Sequence, residues 1–224
     1  MSFDVIASNF GFLIVQGFFG FGNFAGGTLR LAMPAIALGF LLGIFVGLAR
    51  LAPVWWICVP ATVYVEFFRG VPLVMVIFWM WFIIPQLLRI PIPEYGVALT
   101  AFVIFEAAYF GEIVRAGVQS VARGQVEAAR AIGLTEPQGM AYVILPQALR
   151  NMVPALVTQM IVLFKDTSLA SIIGYVDLTK AAQIVNNREI RPFELYLFIA
   201  VIYWLCTYSM SRVARRMERK TSHA

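Results

Sequence analysis

The stretch GQVEAARAIGLTEPQGMAYVILP, residues 124–146, is a polar segment set between long apolar segments of the same chain. The chain has 224 residues, of which 61% are hydrophobic and 13% are charged, and its mean hydropathy is +0.82. That charged fraction is about half of the ~25% usual in globular proteins. Several of the apolar segments reach the ~20 residues with which a helix crosses a bilayer. Because lipid satisfies no backbone hydrogen bonds, we predict an all-α integral membrane protein.

Five membrane spans are predicted on the two sides of the polar segment. They cover approximately residues 28–49, 56–85, 95–114, 152–175 and 193–211. Gly70 and Pro72 are expected to disturb the helix of the second span. Residues 1–27 are apolar but interrupted by glycines and amide side chains, so we predict an interfacial or packed segment, with a sixth span as the alternative. The chain is thus divided into this N-terminal segment, a transmembrane domain over 28–212 and a basic tail over 213–224.

The distribution of Lys and Arg predicts the orientation of the chain. In a five-span topology, ten of the 17 basic residues fall on one side, namely Arg50, Arg115, Arg123, Arg130, Arg150, Arg212, Arg215, Arg216, Arg219 and Lys220. Cytoplasmic loops carry an excess of basic residues, so we expect a periplasmic N-terminus and a cytoplasmic polar segment and C-terminus. The net charge of +5 then needs no nucleic acid as a partner, and the tail contacts at most anionic membrane lipid.

The polar segment has the signals of a helical hairpin. Gln125–Ile132 contains no helix breaker, and Gly133 follows where a C-terminal cap is favoured. Thr135 to Gln138, Thr-Glu-Pro-Gln, matches a capping box, so we expect a second short helix that stops before Pro146. A solvated link between two spans and a docking surface for a protein outside the membrane both fit this pattern.

The hairpin and three other segments carry a family resemblance. Glu127-Ala128-Ala129, Gly133 and Ile144-Leu145-Pro146 resemble the EAA signature of permease subunits of bacterial ABC importers. The segments EFFRGVPL (66–73), AYFGEIVRAG (108–117) and KDTSL (165–169) resemble the polar amino-acid uptake subfamily. The resemblance extends from about residue 29 to the C-terminus and is strongest to permeases for glutamate and aspartate.

The resemblance implies a type I ABC importer permease architecture in the bacterial inner membrane. A periplasmic amino-acid-binding protein would deliver the substrate, and a second permease, related rather than identical, would complete the pathway. A homodimer of cytoplasmic ATPases would bind ATP and magnesium, so this chain would hold no cofactor. The residues Glu127, Ala128, Ala129 and Gly133 would couple the permease to that ATPase.

The lysines of the chain agree with a separate ATPase. A P-loop needs a lysine directly after a glycine to hold phosphates. None of the three lysines, Lys165, Lys180 and Lys220, follows a glycine. The sole histidine is His223, so histidine catalysis or a histidine metal site in the core is not expected. We therefore predict a transport subunit and no enzyme. The alternatives are a permease for glutamine, asparagine or basic amino acids, and an ion-coupled secondary transporter.

Five residues within the predicted spans are candidates for the substrate path, since ionisable groups at membrane depth are costly and usually functional. They are the ionisable Glu66, Arg69, Lys165 and Asp166, and the polar Ser168 that follows them. Arg69 and Lys165 could bind a carboxylate, and Asp166 or Glu66 could bind an ammonium group. Structural ion pairs are the alternative, with Glu66 binding Arg69 at i, i+3 and the Lys165–Asp166 pair holding subunits together.

Two further carboxylates lie in the third predicted span. Glu106 is expected to be protonated or hydrogen-bonded in the interior or at a subunit interface, with a direct substrate role as the lesser alternative. Glu112 and Arg115, three residues apart, are expected to form an ion pair that anchors the helix.

Overall fold

The computed structural model describes residues 4–21 and 26–221, and all the regular secondary structure in them is helical. The elements are α1 (Asp4–Phe10) continuing as a π-helix (Gly11–Phe19), α2 (Thr28–Leu51), α3 (Trp55–Gly70), α4 (Leu73–Leu88), α5 (Glu94–Gln119), α6 (Arg123–Ala131), α7 (Glu136–Gly139) continuing as a π-helix (Met140–Ile144), α8 (Leu145–Asp166) continuing as a 3-10 helix (Thr167–Ile173), α9 (Leu178–Glu189) and α10 (Pro192–Thr221). The predicted all-α class is confirmed.

Four of these helices are long and apolar enough to cross a membrane: α2, α5, the continuous helix Glu136–Ile173 and residues Pro192–Arg216 of α10. The pair α3 and α4 makes a fifth span if the two helices are taken together. The prediction of about five spans is therefore confirmed. The apolar helix Asp4–Phe19 is shorter than a span.

The second predicted span, residues 56–85, is not one continuous helix. It is broken between α3 and α4, whose axes differ in direction by 105°, at the point where Gly70 and Pro72 are expected to disturb it. Pro72 disfavours the helical conformation in the residue before it, and Val71 is extended, with φ −110° and ψ 140°. Gly70 ends α3 and Pro72 becomes the N-cap of α4, so the bend follows from the Gly-Val-Pro sequence itself.

The second helix of the polar segment was predicted to stop before Pro146, and this prediction is wrong. The capping box is present, with the Thr135 N–H donating to Gln138 Oε1 at 2.9 Å, and the helix that it starts continues to Ile173. A π-helical segment, Met140–Ile144, changes the hydrogen-bond register just before Pro146. Pro146 therefore lies in the first turn of α8, where a missing N–H is tolerated.

The last helix is longer than the predicted span of 193–211. It extends as α10 to Thr221 and includes most of the basic tail. Residues 211–221 contain neither glycine nor proline and are rich in Arg, Met, Glu and Lys, which favour helix. The tail therefore continues the helix, as far as the described residues extend.

Helix α5 is the centre of the bundle and packs against α2, α3, α4 and α8. Its closest neighbour is α2, which presents Gly39, Gly43 and Gly47 at four-residue intervals, and all three are buried. Small residues at this spacing let two helix backbones approach closely in membranes. A Cβ atom added at Gly43 would lie 2.5 Å from Phe110 Cβ, so the approach requires glycine there.

Helix α9 was not predicted. Asp177 is its N-cap and accepts hydrogen bonds from the backbone N–H groups of Thr179 at 3.1 Å and Lys180 at 2.8 Å. An aspartate at this position was the available signal. The π-helix of the N-terminal segment packs on α9, with Gly17 so close that an added Cβ would lie 2.7 Å from Ala181 Cβ. The described part of residues 1–27 is thus packed against the bundle.

Candidate functional site

A cavity of about 580 Å³ opens at the break between α3 and α4. Its wall combines residues 70–73 of the break with side chains from α3, α5 and α8: Arg69, Phe105, Tyr109, Gln159, Val162 and Asp166. Broken helices expose backbone groups to a polar ligand, and transporter sites are often built at such points. On α8, residues 159, 162 and 166 lie seven positions apart or less and share one helix face.

The cavity brings together two of the predicted substrate residues, Arg69 and Asp166. Arg69 is exposed in the last turn of α3, and its guanidinium carbon lies 5.8 Å from the centre of the Tyr109 ring. Asp166 is half-buried at the end of α8. Neither side chain forms an ion pair with any other described residue. A cation and an anion are therefore both available to a ligand in one cavity.

The other three predicted substrate residues do not line this cavity. Glu66 is 65% exposed and pairs with Arg50 at 3.5 Å, so it does not form the i, i+3 pair with Arg69 considered as an alternative. Lys165 is exposed next to Asp166, and Ser168 is half-buried in the 3-10 helix.

Sequence reasoning missed Tyr109 and Gln159 as cavity residues. Neither is charged, and an isolated tyrosine or glutamine in a span is not unusual. The spacing of Gln159 seven residues before Asp166, which puts both on one face of α8, was the signal that could have found it. Gln159 also contacts the buried Glu106 of α5, with Nε2 donating to Glu106 Oε2 at 2.8 Å.

An ion-pair network joins α2, α3 and α5 near the hairpin end of α5. Glu112 accepts from Arg115 Nε at 3.0 Å and from Nη2 at 2.5 Å, so the predicted Glu112–Arg115 pair is confirmed. Arg50, whose side chain is only 10% exposed, binds the same Glu112 carboxylate and also Glu66. Arg115 in turn donates to Gln119, the last residue of α5. The network fixes the ends of three helices relative to one another.

The polar segment forms a hairpin of α6 and α7 with a well-defined turn. Gly133 has φ +85°, its N–H donates to the Arg130 carbonyl at 3.0 Å, and the Leu134 N–H donates to the Ala129 carbonyl at 3.1 Å. These two bonds are those of a Schellman cap, which requires a left-handed residue. Across the turn, Arg130 pairs with Glu136 at 2.9 Å.

The residues of the EAA sequence take different positions on the hairpin. Ala129 is buried, and a Cβ atom added at Gly139 of α7 would lie 3.7 Å from its Cβ atom, whereas Glu127 and Ala128 are exposed. Ile132 at the turn is 77% exposed. The hairpin thus has an inner alanine that holds it together and an outer surface that is available to a partner.

The comparisons with known proteins agree with this architecture. Residues 35–223 match the family described as the binding-protein-dependent transport system inner membrane component. The chain is 40% identical over 205 residues to the glutamate/aspartate import permease protein GltK of Escherichia coli O6:H1 strain CFT073, covering 87% of this chain and 90% of that protein. It is 40% identical over 194 residues to the probable glutamine ABC transporter permease protein GlnP of Bacillus subtilis strain 168, covering 85% and 88%.

A solved structure described as an amino acid ABC transporter with histidines matches with a TM-score of 0.90 at 34% identity, covering 98% of this chain and 99% of that chain. The resemblance found in the sequence is therefore confirmed. These relatives are permease subunits and not enzymes, and the family implies a separate ATPase and a binding protein as partners. The chain belongs to the binding-protein-dependent transport system inner membrane components, as a permease subunit of an amino-acid ABC importer in the bacterial inner membrane.

Proposed function

We propose that this permease imports glutamate or aspartate and that its cavity contacts the substrate. The observation that carries the proposal is the pair of charges without ion-pair partners among the described residues, Arg69 and Asp166, in one cavity. The planar guanidinium of Arg69 suits a carboxylate, which it can bind through two parallel hydrogen bonds. Asp166 suits the α-ammonium group. The 40% identity to a glutamate/aspartate import permease supports the choice of substrate.

Glutamine is a second candidate, because the chain is equally identical, 40%, to a probable glutamine permease. One cation and one anion match the α-carboxylate and α-ammonium of either amino acid. Competition among radiolabelled glutamate, aspartate, glutamine and asparagine for uptake into proteoliposomes, with the cognate binding protein and ATPase, decides between them.

The contact of the cavity with substrate is tested by Arg69→Gln and Asp166→Asn. Each variant removes one charge from a group that has no ion pair to lose within the described chain, so we expect assembly to be retained. The loss of a hydrogen bond to a charged group should weaken binding of radiolabelled substrate to the purified permease–ATPase complex, measured without the binding protein, about tenfold. Binding equal to the wild type in both assembled variants would refute the role of the cavity.

The exposed surface of the α6–α7 hairpin is proposed to couple the permease to the ATPase in the cytoplasm. In this arrangement Glu127, Ala128 and the Gly133 turn contact the ATPase, and ATP and magnesium are bound by an ATPase homodimer. The orientation is tested by cysteine labelling in intact cells after replacing Cys58 and Cys206 by serine. A membrane-impermeant maleimide should label Glu189→Cys and spare Ile132→Cys, and the opposite result would invert the topology.

The second permease is proposed to be a related chain and not another copy. Two differently tagged copies of this chain, expressed with the other subunits, provide the test. If the proposal is right, each tag recovers the ATPase and a second permease without recovering the other tag. Recovery of both tags in one complex would show a homodimer instead.

A further inference from the structure

Glu106 is a buried carboxyl group that the proposed substrate contacts do not use. It lies in the middle of α5, its side chain is 0% exposed, and it does not line the cavity. Its Oε1 atom has no hydrogen-bond partner among the described residues, whereas Oε2 accepts from Gln159 Nε2 at 2.8 Å. Leaving a buried oxygen unpaired is destabilising, so stability alone does not explain a carboxylate at this position.

Space for Glu106 is provided by α2. A Cβ atom added at Gly39 would lie 3.2 Å from Glu106 Cβ, tighter than an ordinary carbon contact. The glutamate is thus enclosed between α2 and α5, and its carboxylate reaches the side chain of Gln159 on α8. Gln159, unlike Glu106, is a cavity residue.

The chemistry of the two groups determines how the Gln159 amide is oriented. A carboxyl oxygen without a proton can only accept hydrogen bonds, while an amide has one accepting oxygen and one donating NH2 group. Glu106 Oε2 is such an acceptor whether the group is ionised or carries its proton on Oε1, so the NH2 group faces it, as it does in the structure. The amide oxygen is then left to accept a hydrogen bond from a ligand.

We infer that Glu106 is a positioning residue that turns the Gln159 amide so that its oxygen, together with the Asp166 carboxylate, accepts hydrogen bonds from the substrate α-ammonium group. This inference rests on the proposed function of the cavity. It adds a determinant for the ammonium end of an amino acid on the same face of α8 as Asp166. Glu106 itself contacts no substrate and acts through Gln159.

The test is binding of radiolabelled glutamate and glutamine to the purified permease–ATPase complex without the binding protein, whose own affinity would otherwise dominate. Gln159→Leu removes the acceptor and should weaken binding about tenfold. Glu106→Gln can present either end of its amide to Gln159, so about half or less of the Gln159 amides stay correctly oriented and binding weakens by about twofold to tenfold. The double variant Glu106→Gln/Gln159→Leu should bind no more weakly than Gln159→Leu.

A swapped pair distinguishes positioning from a structural role. In Glu106→Gln/Gln159→Glu the new carboxylate at position 159 lines the cavity and accepts a hydrogen bond from the new amide at position 106. Binding should therefore return to within about twofold of the wild type. The melting temperature of Glu106→Gln should equal or exceed that of the wild type, because a buried carboxylate with an unpaired oxygen is removed.

Three results would overturn the inference. They are unchanged binding in Glu106→Gln, additive losses in the double variant, and a lowered melting temperature without rescue by the swap. Arg69→Gln and Asp166→Asn in the same assay separate this failure from failure of the proposed function. If these two weaken binding and Glu106→Gln does not, only the positioning role is refuted. If the wild-type complex binds neither amino acid, both are refuted.

Discussion

Substituting Gly43 by alanine tests the packing of α2 on α5, on which the position of every cavity residue of α5 depends. The added Cβ atom would lie 2.5 Å from Phe110 Cβ and 3.1 Å from the backbone nitrogen of Gly111. Carbon atoms in contact are about 3.5–4.0 Å apart, so the gap is too small by about 1 Å. Phe110 Cβ is bonded to the backbone and no rotamer change moves it away. The two helices therefore have to separate.

Forcing an extra methyl group into a packed interface costs about 1–3 kcal/mol. For a chain of this size each kcal/mol lowers the melting temperature by roughly 2–4 °C, so Gly43→Ala should lower it by about 2–12 °C. Gly39→Ala is the matched control in the same helix, because its Cβ would lie 3.2 Å from Glu106 Cβ and needs a shift of only a few tenths of an ångström. Gly43→Val should be worse than Gly43→Ala.

The measurement is the melting temperature of the purified complex in detergent, followed for this chain by a fluorescent tag, together with uptake in proteoliposomes. The expected order of stability is wild type first, then Gly39→Ala, then Gly43→Ala, then Gly43→Val. Equal melting temperatures for Gly39→Ala and Gly43→Ala would refute the close approach of α2 and α5 at Gly43.

The remaining predictions concern the hairpin and α9. Two variants of the hairpin, Glu127→Lys and Gly133→Asp, should abolish ATP-driven uptake while the permease stays inserted. The second of them strains the left-handed cap by about 1 kcal/mol. Normal uptake in both variants would contradict the coupling role. Ile132→Asp, at a side chain that is 77% exposed, should reduce co-purification of the ATPase without lowering the amount of permease in the membrane. Asp177 lies outside the spans, and burial raises its pKa to about 6. A raised pKa in the folded state stabilises the protein only while the acid is protonated. The stability of the wild type relative to Asp177→Asn should therefore fall by on the order of 2–3 kcal/mol as the pH rises from about 4 through 6. A difference in melting temperature between the two proteins that stays constant across that pH range would contradict this prediction.

The features predicted correctly from sequence are those that depend on local chemistry. Apolar length predicts the spans, and Gly70 and Pro72 predict a disturbance of the second span, although not its 105° angle. The angle depends on how α3 and α4 pack on α5, which no local signal contains. The capping box at Thr135 was predicted for the same reason, since its residues are adjacent in sequence. The continuation through Pro146 was not predicted, because a π-helical register change has no clear sequence signal.

The partners of charged residues were predicted less well than the residues themselves. Glu66 has Arg69 as its nearest cation in sequence, but its partner is Arg50, which α2 brings within 3.5 Å. That choice leaves Arg69 without an ion pair among the described residues and available in the cavity. Tertiary packing thus places Glu66 in an ion pair and leaves Arg69 on the cavity wall, so two residues three apart in the same motif have different environments.

Helix α5 connects the cavity to the hairpin through one rigid element. It is an uninterrupted helix of 26 residues that places Phe105 and Tyr109 on the cavity wall and ends four residues before α6 begins. Between these two regions Glu112 is fixed to α2 by Arg50, and near the hairpin end an added Cβ at Gly117 would collide with Met152 of α8. If the hairpin couples the permease to the ATPase as proposed, its movement displaces the cavity wall along two helices: α5, and α8, which continues without interruption from α7 and carries Gln159 and Asp166. Cavity residues 70–73 lie at the break between α3 and α4, so that wall can stay in place while α5 and α8 move. A site between a helix break and two helices that lead to the hairpin is therefore suited to change its access to a ligand when force is applied at the hairpin.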